Sequence, residues 1–265
     1  MIIEKLNEAL EKKNSEEVRR PREKHKYYPS SASVRVDGKV EGACARKEYW
    51  QITLEPSSNP PAAKNLRIMA SGKRAEEAEN ENAKAAGILV DEQTKFQHII
   101  PPNGLRSHIV VSGALDGIYE LDGKKVIVEW KSVYGDWSQT HILGVNKWGK
   151  PSTELPYPRI EHLLQSMLYL DHYKGEMDTL YLVYIDRGNG LMREFIITLN
   201  ASGTAHISSG DDLGDTRFTV ADIYARFIEL DGYIQRKELP ARDFNDSHFM
   251  CASFCPFRDR CKGGS

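Results

Sequence analysis

Three polar residues interrupt two apolar runs of the chain. Asp116 ends the stretch Ser112-Gly113-Ala114-Leu115-Asp116, and Glu129 and Lys131 sit in Val126-Ile127-Val128-Glu129-Trp130-Lys131. Asp122-Gly123 between the runs is a hairpin turn signal, so both runs read as strands of one hairpin. Side chains alternate along a strand, which puts Glu129 and Lys131 on one face and Trp130 on the other with Val126 and Val128. Burying a carboxylate and an ammonium without partners costs on the order of several kcal/mol, so the pair calls for a partner or a metal. Asp116, on the preceding strand, is placed to serve. Two carboxylates could hold Mg²⁺ or Mn²⁺ through hard oxygen ligands. Such an ion activates water and offsets charge on a scissile phosphate, while a lysine steadies the charge that develops there. The chemistry these residues point to is phosphodiester hydrolysis. A plain Asp–Lys or Glu–Lys ion pair on a half-exposed sheet satisfies the same spacing.

Two further sets could complete such a site. Gln165 and Tyr169 lie four apart on one helical face, beside an apolar stripe. Gln can bond a phosphate or a base edge and Tyr can stack or bond phosphate, although a core tyrosine with a glutamine at its margin has the same pattern. Glu76 and Glu79 lie one turn apart on another helix, and Glu76 is the candidate for a further metal ligand. Glu77 and Glu81 beside them fit a solvated acidic face equally.

The four cysteines form a separate group: Cys44 near one end, and Cys251, Cys255 and Cys261 within the last fifteen residues. An iron–sulfur cluster takes four thiolates, often several close together and one remote, and no cysteine is left over here. A zinc ion with four thiolates is the main rival, and free buried cysteines are the third reading. A metal held by all four would tie together chain ends more than two hundred residues apart, a long loop to close.

The elements that must position these residues read as follows. Residues 2–20 suggest a charged amphipathic helix, with Ile2, Leu6 and Leu10 spaced by four. A break at Tyr27–Ser33 and a loop-to-helix region around Cys44–Trp50 follow, then a Pro- and Ser-rich loop over 55–64. Helices are expected over 67–87, 159–173 and 219–237, and strands over 108–120, 124–133, 178–186 and 191–199. Residues 134–158 lack periodicity and read as a long functional loop. Helix, antiparallel strands, helix, strands, helix gives an α/β fold with a mixed sheet.

The bulk numbers are compatible with this. The chain has 265 residues, of which 40% are hydrophobic and 28% charged, enough for one large domain. No apolar run is long enough to span a bilayer, and the start lacks the apolar core of a signal peptide. The expectation is a cytoplasmic protein. The formal net charge of −2 is not that of an obvious nucleic-acid binder, but basic residues need only line one groove. Arg19, Arg20, Arg22, Lys24 and Lys26, and then Arg258, Arg260 and Lys262, are locally basic stretches that suit either a groove or a solvated surface.

Taken in order, Gly72 through Glu76, Gly113-Ala114-Leu115-Asp116, Glu129-Trp130-Lys131 and Gln165-x-x-x-Tyr169 resemble the motif series of RecB-type PD-(D/E)XK nucleases. Cys44 within Gly42-Ala43-Cys44-Ala45-Arg46, followed by Cys251-x3-Cys255-Pro256-Phe257-x3-Cys261, is similar to the iron–sulfur nucleases of the AddB type and of the fourth CRISPR-associated protein family. The resemblance covers about Ser30 to Cys261. It implies a restriction-endonuclease-like mixed central sheet flanked by helices over 30–265, with residues 1–29 a helical extension. It implies that Asp116 and Glu129 ligate Mg²⁺ or Mn²⁺, that Lys131 is catalytic, and that Gln165 and Tyr169 contact DNA or order the site. The cysteines would hold a 4Fe–4S cluster. The family often has a histidine where this chain has Glu76, and its first C-terminal cysteine pair is usually spaced by two residues. The implied activity is an exonuclease on single-stranded DNA or DNA ends, in CRISPR adaptation, recombination and repair, or phage DNA processing, with protein partners to match. A non-catalytic DNA-end-binding module and a zinc-stabilised interaction protein are the competing functions.

Overall fold

The structure, a computed structural model, describes residues 2–17, 23, 25–100, 109–146 and 148–263. In chain order the elements are α1 (Ile2–Glu16), β1 (Lys26–Tyr27), β2 (Ser33–Val36), β3 (Lys39–Gly42), α2 (Ala45–Ile52), α3 (Ala63–Ala85), β4 (Leu89–Ile100), β5 (Ile109–Leu121) and β6 (Lys124–Val133). A short helix α4 (Asp136–Ser138) runs into a wide helical turn over Gln139–Leu143, and then come α5 (Ile160–His172), β7 (Leu180–Asp186), β8 (Met192–Leu199), β9 (Thr204–Ser209), β10 (Asp211–Thr219), α6 (Val220–Arg236) and α7 (Arg258–Gly263).

Eight strands form one mixed sheet in the order β1-β5-β6-β7-β8-β9-β10, with β4 on the other edge of β5. The β5–β6 hairpin pairs antiparallel around Asp122-Gly123, as its turn residues require. β6 and β7 run parallel, so the chain between them must cross over, and α5 is the crossover helix. Leu163, Leu164, Met167 and Leu168 bury its apolar stripe, and the main core gathers there with Leu115, Ile127, Leu182, Tyr184, Phe195 and Ile197. α3 lies on the other face, over a smaller cluster of Ala83, Tyr119, Val126 and Val128. Helices on both faces of a mixed α/β sheet are what the element order implied.

Several expectations need correction. Of the helix expected over 2–20, Ile2–Glu16 is helical, and residues 18–20 lie outside the described residues. The sheet begins before residue 30, because β1 pairs parallel with β5 and Tyr27 is buried. Residues 134–158 are partly helical rather than a plain loop: Gln139 donates to the buried Asp186 at 2.8 Å, anchoring the start of the segment to the end of β7. The basic residues Arg19, Arg20, Arg22 and Lys24 lie outside the described residues. Among the described residues, no helix is long and apolar enough to cross a membrane.

Candidate active site and cysteine pocket

The site is made by a fork in the sheet. One edge of β5 is taken by β4 along nearly its whole length. Along the other edge, β1 pairs at Val110 and Val111, and β6 pairs only from Gly117↔Val128 onward. Among the described residues, 112–116 therefore have no strand partner on that edge. Where the ladder stops, the Asp116 carboxylate takes over the role of a backbone acceptor: the Trp130 N–H donates to its Oδ2 at 2.9 Å. β6 thus leaves β5 at the point where it carries Glu129 and Lys131.

Alternation along β6 and the parallel neighbour β7 puts Glu129 and Lys131 on the α5 face. Glu129 is 1% exposed. Its Oε1 accepts from the Lys131 ammonium and, at 2.7 Å, from the Gln165 amide. Its Oε2 is buried with no hydrogen-bond partner among the described residues. Gln165 also donates to the Tyr169 hydroxyl at 2.6 Å, and that hydroxyl donates onward to the Ala114 carbonyl at 3.2 Å. Tyr169 is 2% exposed and packs edge-on against Phe96. Its buried hydroxyl ties α5 to β5 through Ala114 and meets Gln165, which bonds Glu129.

Glu76 comes from the α3 side. Gly72 makes this possible, because a Cβ there would lie 2.9 Å from the Ser132 hydroxyl, and without one α3 settles onto β6. The Glu76 carboxylate accepts from Gln93 at 2.7 Å and stands close enough to feel the charges of Asp116 and Lys131. Glu79 faces Asn82 on the same helix instead. The fork thus unites Asp116, Glu129, Lys131, Gln165 and Tyr169, with Glu76 at its rim. No group of three His, Cys, Asp or Glu side chains among the described residues is arranged to hold a metal ion. What the fork offers a cation is a pair of neighbouring carboxylates with one uncommitted buried oxygen.

The electrostatics follow from burial and crowding. Burial, opposed by Lys131 and reinforced by Asp116, pushes the Glu129 carboxyl up to about 8. Burial, with the Asp116 charge adding to it, pushes Glu76 up to about 7. Asp116 is also raised by burial, with Lys131 and the Trp130 N–H holding it back. Burial would strip Lys131 of its proton, but Glu129 and Asp116 outweigh it, and the ammonium keeps its charge. Three carboxyls are thus raised together around a lysine that keeps its charge. His162, one turn before Gln165 on α5, was missed in the sequence. Its Nδ1 meets the Tyr184 hydroxyl at 2.9 Å, and burial, aided by Lys131, holds its pKa well below the usual histidine value. A spacing of three from Gln165 was the available signal.

The four cysteines line a separate pocket with Arg46, Lys47, Arg242, Asp246 and Arg258. Cys44 caps the N-terminus of α2, and the segment after α6 folds back over it. Asp243 accepts from the Ala45 N–H at 2.7 Å and from Arg226 at 3.1 Å. Trp50 packs on Phe257 with ring centroids 5.4 Å apart, and Asn59 bonds Asp259 at 2.7 Å. None of the cysteines is in a disulfide. Burial pushes the Cys44 thiol up to about 11 and raises Cys251 and Cys255 as well. The four soft sulfurs border one pocket with basic side chains around them, which is the donor chemistry of a thiolate-bound centre, but no three of them are arranged to hold a metal ion.

No protein-family model matches the chain, and no curated protein does. Among solved structures, that of SSO0001 is similar, with a TM-score of 0.52 and 16% identity over 98% of this chain and 96% of that one. The two chains share a fold. At that identity the likeness extends to the mixed α/β architecture, over nearly the full length of both, and carries no chemistry with it.

Proposed function

We propose that the protein is a Mg²⁺- or Mn²⁺-dependent DNA nuclease of the restriction-endonuclease-like PD-(D/E)XK type, acting on single strands or DNA ends. The observation that carries this reading is the fork, in which Asp116, Glu129 and Lys131 converge from two diverging strands around a buried Glu129 oxygen that lacks a partner among the described residues. Asp116 and Glu129 would hold the cation, with Glu76 at the rim as a further oxygen donor. When bound, the cation supplies charge neutralisation at the phosphate and a more acidic water. Hydrolysis adds a water oxygen to phosphorus and breaks one P–O ester bond, leaving a phosphomonoester and a hydroxyl end.

The chain's own contribution is positional and electrostatic. Lys131 keeps a full positive charge against Glu129 and presents it where phosphate charge develops. Gln165 holds Glu129 in one rotamer, and Tyr169 holds Gln165. We assign the cysteine pocket to a 4Fe–4S cluster that braces the two chain ends rather than taking part in hydrolysis, because none of the residues of the fork lines it and it has its own basic residues. DNA is the partner this reading names, with a DNA-processing complex as its setting.

The experiment is digestion of labelled single- and double-stranded oligonucleotides with Mg²⁺ or Mn²⁺ by the wild type and by Asp116→Ala, Glu129→Ala and Lys131→Ala. Each variant should keep the wild-type circular dichroism spectrum and lose cleavage by about a thousandfold or more, the scale of removing an electrostatic stabiliser from a phosphoryl-transfer site. A folded Lys131→Ala variant of near wild-type rate would overturn the assignment.

A further inference from the structure

Asn80, in the interior of α3, is 3% exposed on a helix whose other buried residues are alanines. A buried amide is costly unless its donors and acceptors are matched. Here its Nδ2 donates to the Asp116 carbonyl at 3.0 Å, and its Oδ1 accepts from the Tyr119 hydroxyl at 2.9 Å. The Tyr119 oxygen in turn accepts from the Trp130 indole N–H at 3.2 Å. The Trp130 backbone N–H donates to the Asp116 carboxylate at 2.9 Å. These four hydrogen bonds close a circuit: Asp116 to Asn80, Asn80 to Tyr119, Tyr119 to Trp130, and Trp130 back to Asp116. It links α3, β5 and β6, and it passes through both sides of the fork.

The circuit sits where the sheet provides no other restraint. The β5–β6 ladder ends at Gly117↔Val128, and beyond it backbone pairing no longer sets the distance between the strands. Trp130 lies between Glu129 and Lys131 in the chain, so fixing its backbone and its indole fixes the stem of both. Gly117, the residue after Asp116, leaves room for the arrangement: a Cβ there would lie 2.5 Å from Tyr119 Cε1 and 3.4 Å from Asn80 Oδ1. Apolar contacts alone would let the strands slide by fractions of an ångström, whereas a closed set of directional bonds does not.

We propose that Asn80 and Tyr119 are positioning residues of the hydrolytic centre, setting the separation of Asp116 from Glu129 through Trp130 without touching cation or substrate. This rests on the reading of Asp116, Glu129 and Lys131 as that centre. Supporting residues of this kind typically cost about ten- to a hundredfold in metal affinity or activity when removed.

The test uses Tyr119→Phe, which deletes one hydroxyl and keeps the ring, Trp130→Phe, which deletes the indole donor, and the double variant. Mn²⁺ affinity is measured by calorimetry on the full-length protein, alongside kcat and KM on a single-stranded oligonucleotide and the thermal midpoint. Each single variant should weaken Mn²⁺ binding by about tenfold and lower kcat by at least as much, with KM for DNA nearly unchanged. The double variant should be little worse than either single one, because a circuit is broken once. Lower thermal midpoints with Mn²⁺ affinity and kcat per folded molecule unchanged, or strictly multiplicative losses in the double variant, would overturn the positioning role. If Tyr119→Phe does not fold, Trp130→Phe alone decides the matter on the same two readouts, Mn²⁺ affinity and kcat. A wild type that binds Mn²⁺ through Asp116 yet cuts no DNA defeats the nuclease reading only, and the positioning role is then judged on Mn²⁺ affinity. A wild type that binds no Mn²⁺ defeats both.

Discussion

On the proposed function, the raised carboxyls in the fork make cation binding a competition with protons, and its size follows from the two values. A protonated carboxyl does not ligate, so Mn²⁺ binding must displace a proton from Glu129, at about 8, and from Glu76, at about 7, if Glu76 joins the site. At pH 6 only about one Glu129 in a hundred and one Glu76 in ten are ionised, whereas at pH 8 about half and nearly all are. The apparent Kd should therefore rise from pH 8 to pH 6 by roughly fiftyfold if Glu129 alone pays this cost, and by roughly five-hundredfold, or about 4 kcal/mol, if both do. In a thermal-shift assay, Mn²⁺ at a hundred times its pH 8 Kd should stabilise by about 2.7 kcal/mol and raise the midpoint by roughly 5–10 °C. The same concentration at pH 6 should give a shift of no more than a few degrees, and under one degree if Glu76 is a ligand. Without metal the sign reverses. A group whose folded pKa is raised stabilises fully below its unfolded value near 4.5 and loses that contribution as pH rises through about 8, so Glu129 makes the metal-free protein weaker toward alkaline pH. A Mn²⁺ shift of equal size at pH 6 and pH 8, or one that survives in Asp116→Asn, would refute the reasoning.

Tyr169→Phe removes the hydroxyl between Gln165 and Ala114. It should cost about 1 kcal/mol of stability and slow cleavage while leaving KM for DNA unchanged, since the ring is buried; a KM effect in steady-state kinetics would return Tyr169 to the DNA surface. Protein prepared without oxygen should be brown, with about four irons per chain, and Cys44→Ser should bleach it and lower the melting temperature; one zinc and no colour would reassign the pocket to zinc. His162 is held neutral, so its folded pKa lies below its unfolded one near 6.5. Its contribution is intact above pH 6.5 and falls as the unfolded chain takes up protons below it, by at most about 1.4 kcal/mol per pH unit. His162→Gln should flatten the thermal midpoint between pH 6.5 and 5, and an unchanged slope would remove His162 from the acid sensitivity.

The local pattern of the sequence carries the hairpin and the crossover helix. Asp122-Gly123 between apolar runs dictates β5–β6, and strand alternation alone places Glu129 and Lys131 together and Trp130 opposite. Period-four spacing places Gln165 and Tyr169 on one face of α5, and the grouping of Cys251, Cys255 and Cys261 near the end of the sequence, with Cys44 remote, is visible before any fold is known. Edge strands were not legible in the same way. β4 pairs only with β5 and is mostly exposed, so Leu89–Ile100 lacks the alternation that betrays a half-buried strand, and β9–β10, at the far edge, went unseen too. Nor does spacing say which residues meet across the chain. That Tyr169 faces Ala114 from inside the core, that Glu76 turns to Gln93, and that Asp116 caps the Trp130 N–H where the ladder opens are all consequences of long-range packing. Periodicity specifies the face on which a side chain stands, because that depends only on its own strand or helix. The distance between two faces depends on how the elements dock, and it was the docking of α3 on β6 and of α5 on the neighbouring β7 and β8 that brought separate polar residues together.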